Sequence, residues 1–143
     1  MTTNTAGTTA RQDPRQVVNT LKRTLNYNDS DVAQAAIGTL PSGNDLPQSA
    51  FVQEVMVEVV TAFNAATTNT LALGTNTGSW NNFIAVTDVN LAATGVTSVK
   101  RGAGRNLTSG SDTALYAVYT QSGTAATAGQ AIITVVFEGG FST

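Results

Sequence analysis

The sequence predicts an all-β fold, an antiparallel β-sandwich of the jelly-roll kind with about eight strands. Short runs rich in Val, Ile, Phe and Thr alternate apolar and polar residues, as half-buried strands do. Turns of Gly, Asn, Thr and Ser separate these runs at the spacing typical of a sandwich or barrel. No segment of ten or more residues shows a helical period. Together these observations favour two packed sheets over any helical or mixed fold.

The 143 residues are enough for one domain with its own core. Residues 1–16 are rich in Thr, Ala, Asn and Gly and lack a hydrophobic period, which predicts a flexible N-terminal arm. Arg11 and Arg15 make the end of this arm positive. The arm is either an untethered tail or a segment that becomes ordered on a partner. Residues 17–143 form the single predicted β-sandwich domain.

The first predicted strand, VVNTLKRTLNY, places Val17, Leu21 and Leu25 on one face. Tyr116 and Tyr119 lie on opposite faces of a later strand, so at most one of them is fully in the core. The remaining runs share β-branched or alternating composition and end at turn residues. In chain order, the other predicted strands are residues 32–47 (which end in a loop), 51–63, 69–75, 82–91 (a strand, or a strand followed by a brief turn), 95–102, 113–121 and 130–139.

The strongest predicted strand is FVQEVMVEVVTAF, residues 51–63, whose β-branched density argues against a helix. Its first face is wholly apolar, and its second face alternates apolar with acidic residues. The first face comprises Phe51, Val55, Val57, Val59 and Phe63, and the second comprises Val52, Glu54, Met56, Glu58 and Val60. A half-apolar second face packs either on another subunit or under a loop of the same chain. For the first alternative, the predicted subunit interface is Val52, Met56 and Val60.

Composition narrows the classes of function. Charged residues make up 11% of the chain, well below the roughly 25% of soluble domains, and uncharged polar residues replace them. Such a surface suits close contact with other proteins. The net charge of −2 argues against nucleic-acid binding, which needs a basic surplus. The sequence has no cysteine, no apolar run long enough for a membrane span and no apolar signal core, so we expect a soluble chain made in a cytoplasm.

No catalytic constellation emerges, and we expect no enzyme activity, cofactor or metal. Without histidine, nucleophilic triads and most general-base schemes are absent. Glu54 and Glu58 would lie roughly 13 Å apart along one strand, beyond the roughly 5–9.5 Å of glycosidase carboxylate pairs. The string NYNDSD, residues 26–31, has Ca²⁺-compatible oxygens but lacks the Gly and distal Glu of an EF-hand loop. It predicts a turn held by Asn and Asp side chains.

A basic segment and a single tryptophan are further candidate contact sites. Lys100, Arg101 and Arg105 surround two glycines, and they form either a solvated turn or a basic contact for an acidic partner surface. Trp80 is the only tryptophan and adjoins a polar turn. It either caps one end of the sandwich core or stacks on a sugar ring, as in a carbohydrate-binding module.

The runs TAFNAATTNTLALGT (61–75), LYAVYTQSGTAATAG (115–129) and the β-branched terminal strand support a family resemblance. Over about residues 27–139, the chain resembles head decoration (cement) or head-fibre structural proteins of tailed bacteriophages. The resemblance implies a sandwich or jelly-roll subunit, usually a homotrimer, that sits outside an icosahedral head and bridges major capsid proteins.

On this hypothesis the chain is a non-enzymatic virion protein of the capsid exterior, made in the host bacterial cytoplasm. Arg11 and Arg15 of the arm would then dock on the major capsid protein. Neither nucleic acid nor membrane is an expected partner. The alternative function is a carbohydrate- or receptor-binding module of a head or tail fibre, with Trp80 as the glycan contact.

Overall fold

The structure is a computed structural model that describes residues 18–29, 37–39, 46–47, 49–75, 78–100 and 113–139. All regular secondary structure in these residues is β, which confirms the predicted class. The described strands are β1 (Val18–Asn26), β2 (Ile37–Thr39), β3 (Ala50–Thr61), β4 (Thr68–Gly74), β5 (Gly95–Val99), β6 (Tyr116–Ser122) and β7 (Gln130–Gly139). The described residues contain no helix of the length and apolarity that crossing a membrane requires.

The strands form two antiparallel sheets. The four-stranded sheet has the order β1-β7-β3-β5, and the three-stranded sheet has the order β2-β6-β4. Strand β7 pairs with β1 along its whole length, from Val18 opposite Glu138 to Asn26 opposite Gln130. On its other side, β7 pairs with β3. The strand that comes last in the sequence therefore lies at the centre of the larger sheet.

Both sheets bury side chains in one shared hydrophobic core. The inward residues alternate along each strand, as the period-two pattern predicts. The four-stranded sheet contributes Leu21, Leu25, Ala50, Val52, Val55, Val57, Val59, Ala131, Ile133, Val135 and Phe137, and the three-stranded sheet contributes Leu71, Leu73, Ala117 and Tyr119. Loop residues such as Leu46, Phe63, Phe83 and Leu91 complete the cluster. The core thus holds two sheet faces together.

Two irregularities in β3 change which of its residues face inward. The register to β7 shifts between Val52 and Glu54, and again between Val59 and Thr61. An extra residue in one strand of a pair is a β-bulge, and it turns the following side chains to the opposite face. Val52 is therefore fully buried and Phe51 is 40% exposed. The prediction that placed Phe51 inside and Val52 outside is wrong, although Val55, Val57 and Val59 do face inward as predicted.

The eight-stranded jelly roll is not confirmed, because the described residues form seven strands. The run at residues 82–91, predicted to contain a strand, makes only an isolated bridge between Ile84 and Leu73. A turn follows directly: the Asp88 carboxylate accepts a hydrogen bond from the Ala85 amide at 2.8 Å, and the Asp88 amide donates to the Ala85 carbonyl at 2.9 Å. This side-chain turn ends the extended segment before it can become a strand.

Candidate binding surfaces

The outer side of the four-stranded sheet carries most of the exposed apolar side chains among the described residues. Val96 is 67% exposed, Val60 is 45% exposed, and Met56 is half-buried. Ile132 and Val136, on the central strand β7, are half-buried on the same side. Glu58 pairs with both Val96 and Ile132, so the exposed Glu58 side chain lies between these two apolar residues in a row across three strands. We call Met56, Val60, Val96, Ile132 and Val136 the apolar sheet face.

The predicted interface trio is divided by the bulges. Met56 and Val60 belong to the apolar sheet face, but Val52 is buried in the core. Val52 therefore has no surface to offer a partner, and its predicted place on the outer face is wrong. An interface role for Met56 and Val60 remains a prediction.

Acidic side chains border the apolar sheet face and are held by polar neighbours. The Ser98 hydroxyl donates to the Glu54 carboxylate at 2.5 Å. The side-chain amide of Gln53 donates to the Glu138 carboxylate at 2.6 Å. Lys22 of β1, which pairs with Thr134 of β7, is also exposed. The surface is therefore a mixture of apolar, acidic and hydroxyl side chains, with Glu58 between Val96 and Ile132 and with Met56 between Ser98 and Thr134.

A different surface lies on the three-stranded sheet. The ring of Trp80 packs on that of Tyr116, with centroids 4.4 Å apart and planes inclined at 53°. Both side chains are half-buried. Tyr119, three residues further along β6, is fully buried, which confirms that the two tyrosines face opposite ways. Trp80 is not among the described residues of the buried cluster, and its two alternatives, a cap of the core and a glycan contact, stay predictions.

The loop that carries Trp80 is fixed at its base. The Asn82 side chain accepts from the Thr75 amide at 2.8 Å and donates to the Thr75 hydroxyl at 3.0 Å. Trp80 itself has a φ of +49°, in the left-handed region that bulky residues seldom occupy. The loop therefore places this ring over the outer side of Tyr116, and we call the two rings the aromatic pair.

Hydroxyl side chains lie on the same face of the three-stranded sheet, further along β4 and β6 from the aromatic pair. The Thr68 and Ser122 hydroxyls lie 2.6 Å apart, and the Thr70 hydroxyl donates to the Thr120 carbonyl at 3.4 Å. Strands β4 and β6 and residues 78–82 contain no charged residue. The face is therefore aromatic at one end, hydroxyl-rich along its length and uncharged.

Asparagine side chains form hydrogen bonds between loops that the sequence predicts only as turns. Asn64 accepts hydrogen bonds from the Thr127 and Ala128 amides at 2.8 and 3.0 Å. Asn69 accepts from the Tyr119 hydroxyl at 2.9 Å and donates to the Ala65 carbonyl at 3.2 Å. The bonds of Asn64 and the bond between Tyr119 and Asn69 join residues 50 or more positions apart, so no local sequence pattern reveals them. They show how uncharged polar residues fix the loops without ion pairs.

The remaining candidates divide between described and undescribed residues. Lys100 is exposed. Arg11, Arg15, Arg101 and Arg105 lie outside the described residues. The turn predicted at residues 26–31 is confirmed over residues 26–29, where the Asp29 carboxylate accepts from the Asn26 backbone amide at 2.7 Å, and residues 30 and 31 lie outside the described residues. Within the part of the chain that the structure describes, no three His, Cys, Asp or Glu residues cluster as metal ligands would.

Comparison with known proteins identifies the fold. No protein-family model matches the chain, and no curated protein sequence does. Solved structures of phage capsids do match. A chain of the cyanophage Pam1 capsid asymmetric unit aligns with a TM-score of 0.62 and 19% identity, over 85% of this chain and 84% of its own.

Two further capsid structures agree. A chain of the acid-stable capsid of Helicobacter pylori bacteriophage KHP30 aligns with a TM-score of 0.62 and 19% identity, over 88% of this chain and 90% of its own. A chain of the Ralstonia phage GP4 capsid aligns with a TM-score of 0.58 and 21% identity, over 88% and 85%. This chain therefore shares its fold with chains of three phage capsid structures, and the near-equal coverage means that those chains are of similar length.

Proposed function

We propose that this chain is a non-enzymatic structural protein of a phage head. In this proposal it binds the outside of the head as a decoration or cement protein and stabilises contacts between major capsid proteins. The observation that carries the proposal is the fold shared with capsid chains of similar length, over 85–88% of this chain. The match covers the sandwich rather than a fragment of it, so the whole domain is the unit that would attach.

The chemistry of the surface supports attachment to protein. Burying an ion at an interface costs several kcal/mol unless it is well paired. Only 11% of this chain is charged, and its described loops are fixed by amide side chains. Such a surface can be covered by another protein with little loss of ion solvation. We propose that Arg11, Arg15, Lys100, Arg101 and Arg105 supply the few charged contacts to the capsid.

The apolar sheet face is our proposed contact between copies of the chain in a homotrimer. It combines Met56 and Val60 with Val96, the most exposed of the large apolar side chains described. Several exposed or half-buried apolar side chains gathered on one sheet face are a common feature of protein contacts, and the Glu58 carboxylate among them would need a polar partner on the other copy. Val52 takes no part in this revised interface.

Heads that lack this protein test the proposal. Purified chain is added to heads from a phage with the gene deleted, and binding is measured by co-sedimentation and cryo-electron microscopy. We expect saturable density on the outer surface and restored resistance to heating. Absence of the chain from purified virions, or equal resistance of heads with and without it, would overturn the proposal.

The trimer is tested separately by light scattering. Met56→Glu combined with Val60→Glu places two charges in the proposed contact, and we expect a folded monomer where the natural chain is a trimer. Val86→Glu is the matched control, since Val86 is 51% exposed and lies in a loop outside this sheet. A natural chain that is monomeric at micromolar concentration contradicts the trimer without affecting attachment to the head.

The aromatic pair favours a second candidate function, that of a carbohydrate- or receptor-binding module. The proposed contact between copies lies on the four-stranded sheet and the aromatic pair lies on the three-stranded sheet, so one chain can do both. We propose the chemical class of this ligand from the residues of the three-stranded sheet.

A further inference from the structure

We propose that the aromatic pair and the hydroxyl groups beside it form a binding site for a neutral oligosaccharide. The site lies on the outer side of the three-stranded sheet, with Trp80 as the stacking ring. This inference does not depend on capsid attachment, because it rests on none of the residues proposed for that contact.

The first argument is the strained backbone conformation of Trp80. A bulky residue with φ of +49° is strained by about 1–3 kcal/mol. Core burial of a tryptophan would offset that amount, but this ring is only half-buried and lies outside the core cluster. Strained residues concentrate at ligand sites, where the strain fixes a contacting group in place. The loop thus holds the Trp80 ring against Tyr116 in a strained conformation that leaves part of the ring exposed.

The second argument is chemical. A sugar ring has an apolar C–H face that stacks on an aromatic ring and a border of hydroxyls that form hydrogen bonds. Here Trp80 and Tyr116 provide the aromatic part, and Thr68, Thr70 and Ser122 provide hydroxyls on the same face. Because β4, β6 and residues 78–82 carry no charge, the described face offers no cation for a phosphate or a sugar acid.

The third argument sets the length of the ligand. Tyr116 and Thr120 point to the same side of β6 and are four residues apart, which corresponds to about 13 Å along a strand. A single sugar ring stacked on Trp80 would leave the hydroxyls further along the strand unused. The extent of the face therefore favours an oligosaccharide.

The fourth argument separates a sugar from a protein ligand. Protein contacts concentrate where aromatic anchors are surrounded by other apolar groups. The exposed apolar side chains Phe51, Val60 and Val96 all belong to the other sheet. Next to Tyr116 on this face lies the half-buried Val118, which pairs with Ala72, and hydroxyl side chains follow further along the strands, namely those of Thr68, Thr70, Thr120 and Ser122. This contrast favours the sugar.

Tryptophan fluorescence reports directly on this site, since Trp80 is the only tryptophan in the chain. The full chain is titrated with malto-, cello- and chito-oligosaccharides and with oligogalacturonate as an acidic control, and is screened on an array of bacterial surface glycans. We expect at least one neutral glycan to shift tryptophan emission saturably and to protect it from acrylamide quenching. Failure of every probe and every array glycan to bind would overturn the proposal.

Variants locate the site by calorimetry with the glycan that binds. Trp80→Ala and Tyr116→Ala should each weaken binding about tenfold or more, and Trp80→Phe should lose less. Phe51→Ala removes an exposed aromatic ring from the opposite sheet and should bind normally. Circular dichroism checks the fold of each variant, and acrylamide protection of the natural chain tests the site even if Trp80→Ala does not fold. Unchanged glycan affinity in a folded Trp80→Ala variant contradicts the proposal. Loss of head binding in that variant, with no glycan bound by the natural chain, would identify a protein contact instead.

Discussion

The ring of Phe63 packs against that of Tyr119, with centroids 5.0 Å apart and planes inclined at 54°. Phe63 directly follows β3 of the four-stranded sheet, and Tyr119 belongs to β6 of the three-stranded sheet. Both side chains are buried. The tilted geometry is one that aromatic pairs favour. This contact ties the two sheets together at the end of the core where the loops are joined by Asn64 and Asn69.

Removal of the Tyr119 hydroxyl tests the polar side of this contact. Tyr119→Phe keeps the ring but deletes the 2.9 Å hydrogen bond to Asn69. Such a bond contributes about 1 kcal/mol to stability. We expect a loss of that size in the free energy of unfolding, measured with urea. Tyr116→Phe is the matched control on the outer face, where a change of less than about 0.5 kcal/mol is expected. Equal losses in both variants would contradict this role of the Tyr119 hydroxyl.

The same residue predicts a dependence on alkaline pH. Burial raises the pKa of Tyr119 above its ordinary value of 10.0, because the phenolate is poorly solvated inside the core. In the unfolded chain, tyrosine loses its proton near pH 10, while in the folded chain it keeps that proton to higher pH. Stability from this group is therefore complete below pH 10 and falls as pH rises through 10 toward the folded pKa.

The measurement compares urea unfolding of the natural chain and Tyr119→Phe between pH 8 and pH 11. The stability advantage of the natural chain over the variant should shrink above pH 10. A constant difference across this range would show that Tyr119 titrates alike in both states.

Gly129 is predicted to be intolerant of any side chain. It has a φ of +149°, and an added Cβ would lie 2.4 Å from Cδ1 of Phe63. Gly129→Ala must therefore displace the Phe63 ring as well as strain the backbone. Gly95 has a similar φ of +144° but open space at its Cβ position, so Gly95→Ala isolates the backbone strain alone. We expect Gly129→Ala to cost about 1–3 kcal/mol more than Gly95→Ala in urea unfolding. Equal costs would mean that the ring moves aside freely.

The first bulge of β3 is tested by a pair of neighbouring substitutions. Val52→Ser exchanges a fully buried side chain for a polar one and should cost about 2–3 kcal/mol. Phe51→Ser changes a residue that is 40% exposed and should cost less than about 1 kcal/mol. A strand without the bulge would give the opposite order. Thermal and urea unfolding of the two variants therefore report the register directly.

Strand positions were predictable from the sequence to the extent that alternation was regular. The central part of β3 and the inward positions Ile133, Val135 and Phe137 of β7 follow the pattern and are buried. The bulge could not be foreseen, because Phe51 and Val52 are both good core residues and either register satisfies local hydrophobicity. Only pairing with β7 selects Val52, and that pairing joins residues far apart in the sequence.

The candidate surfaces were predictable only in part. The sequence indicated that Met56 and Val60 share an outward face and that Trp80 adjoins a polar turn. It could not show that Trp80 packs on Tyr116, because these residues are 36 positions apart and meet only when the loop folds over the sheet. The role of Asp88 was missed for a similar reason, since an extended run and a side-chain turn compete for the same residues.

The central position of β7 has a consequence for biosynthesis. Until residues 130–139 have left the ribosome, β1 and β3 lack the strand that lies between them. Long-range pairing of this kind also slows folding, because loop closure precedes the contacts that compensate for it. Nascent chains stalled before residue 130 should therefore remain sensitive to protease, and chains released after residue 139 should become resistant. The larger sheet then forms only after β7 has been made, and its unpaired edges need protection until that moment.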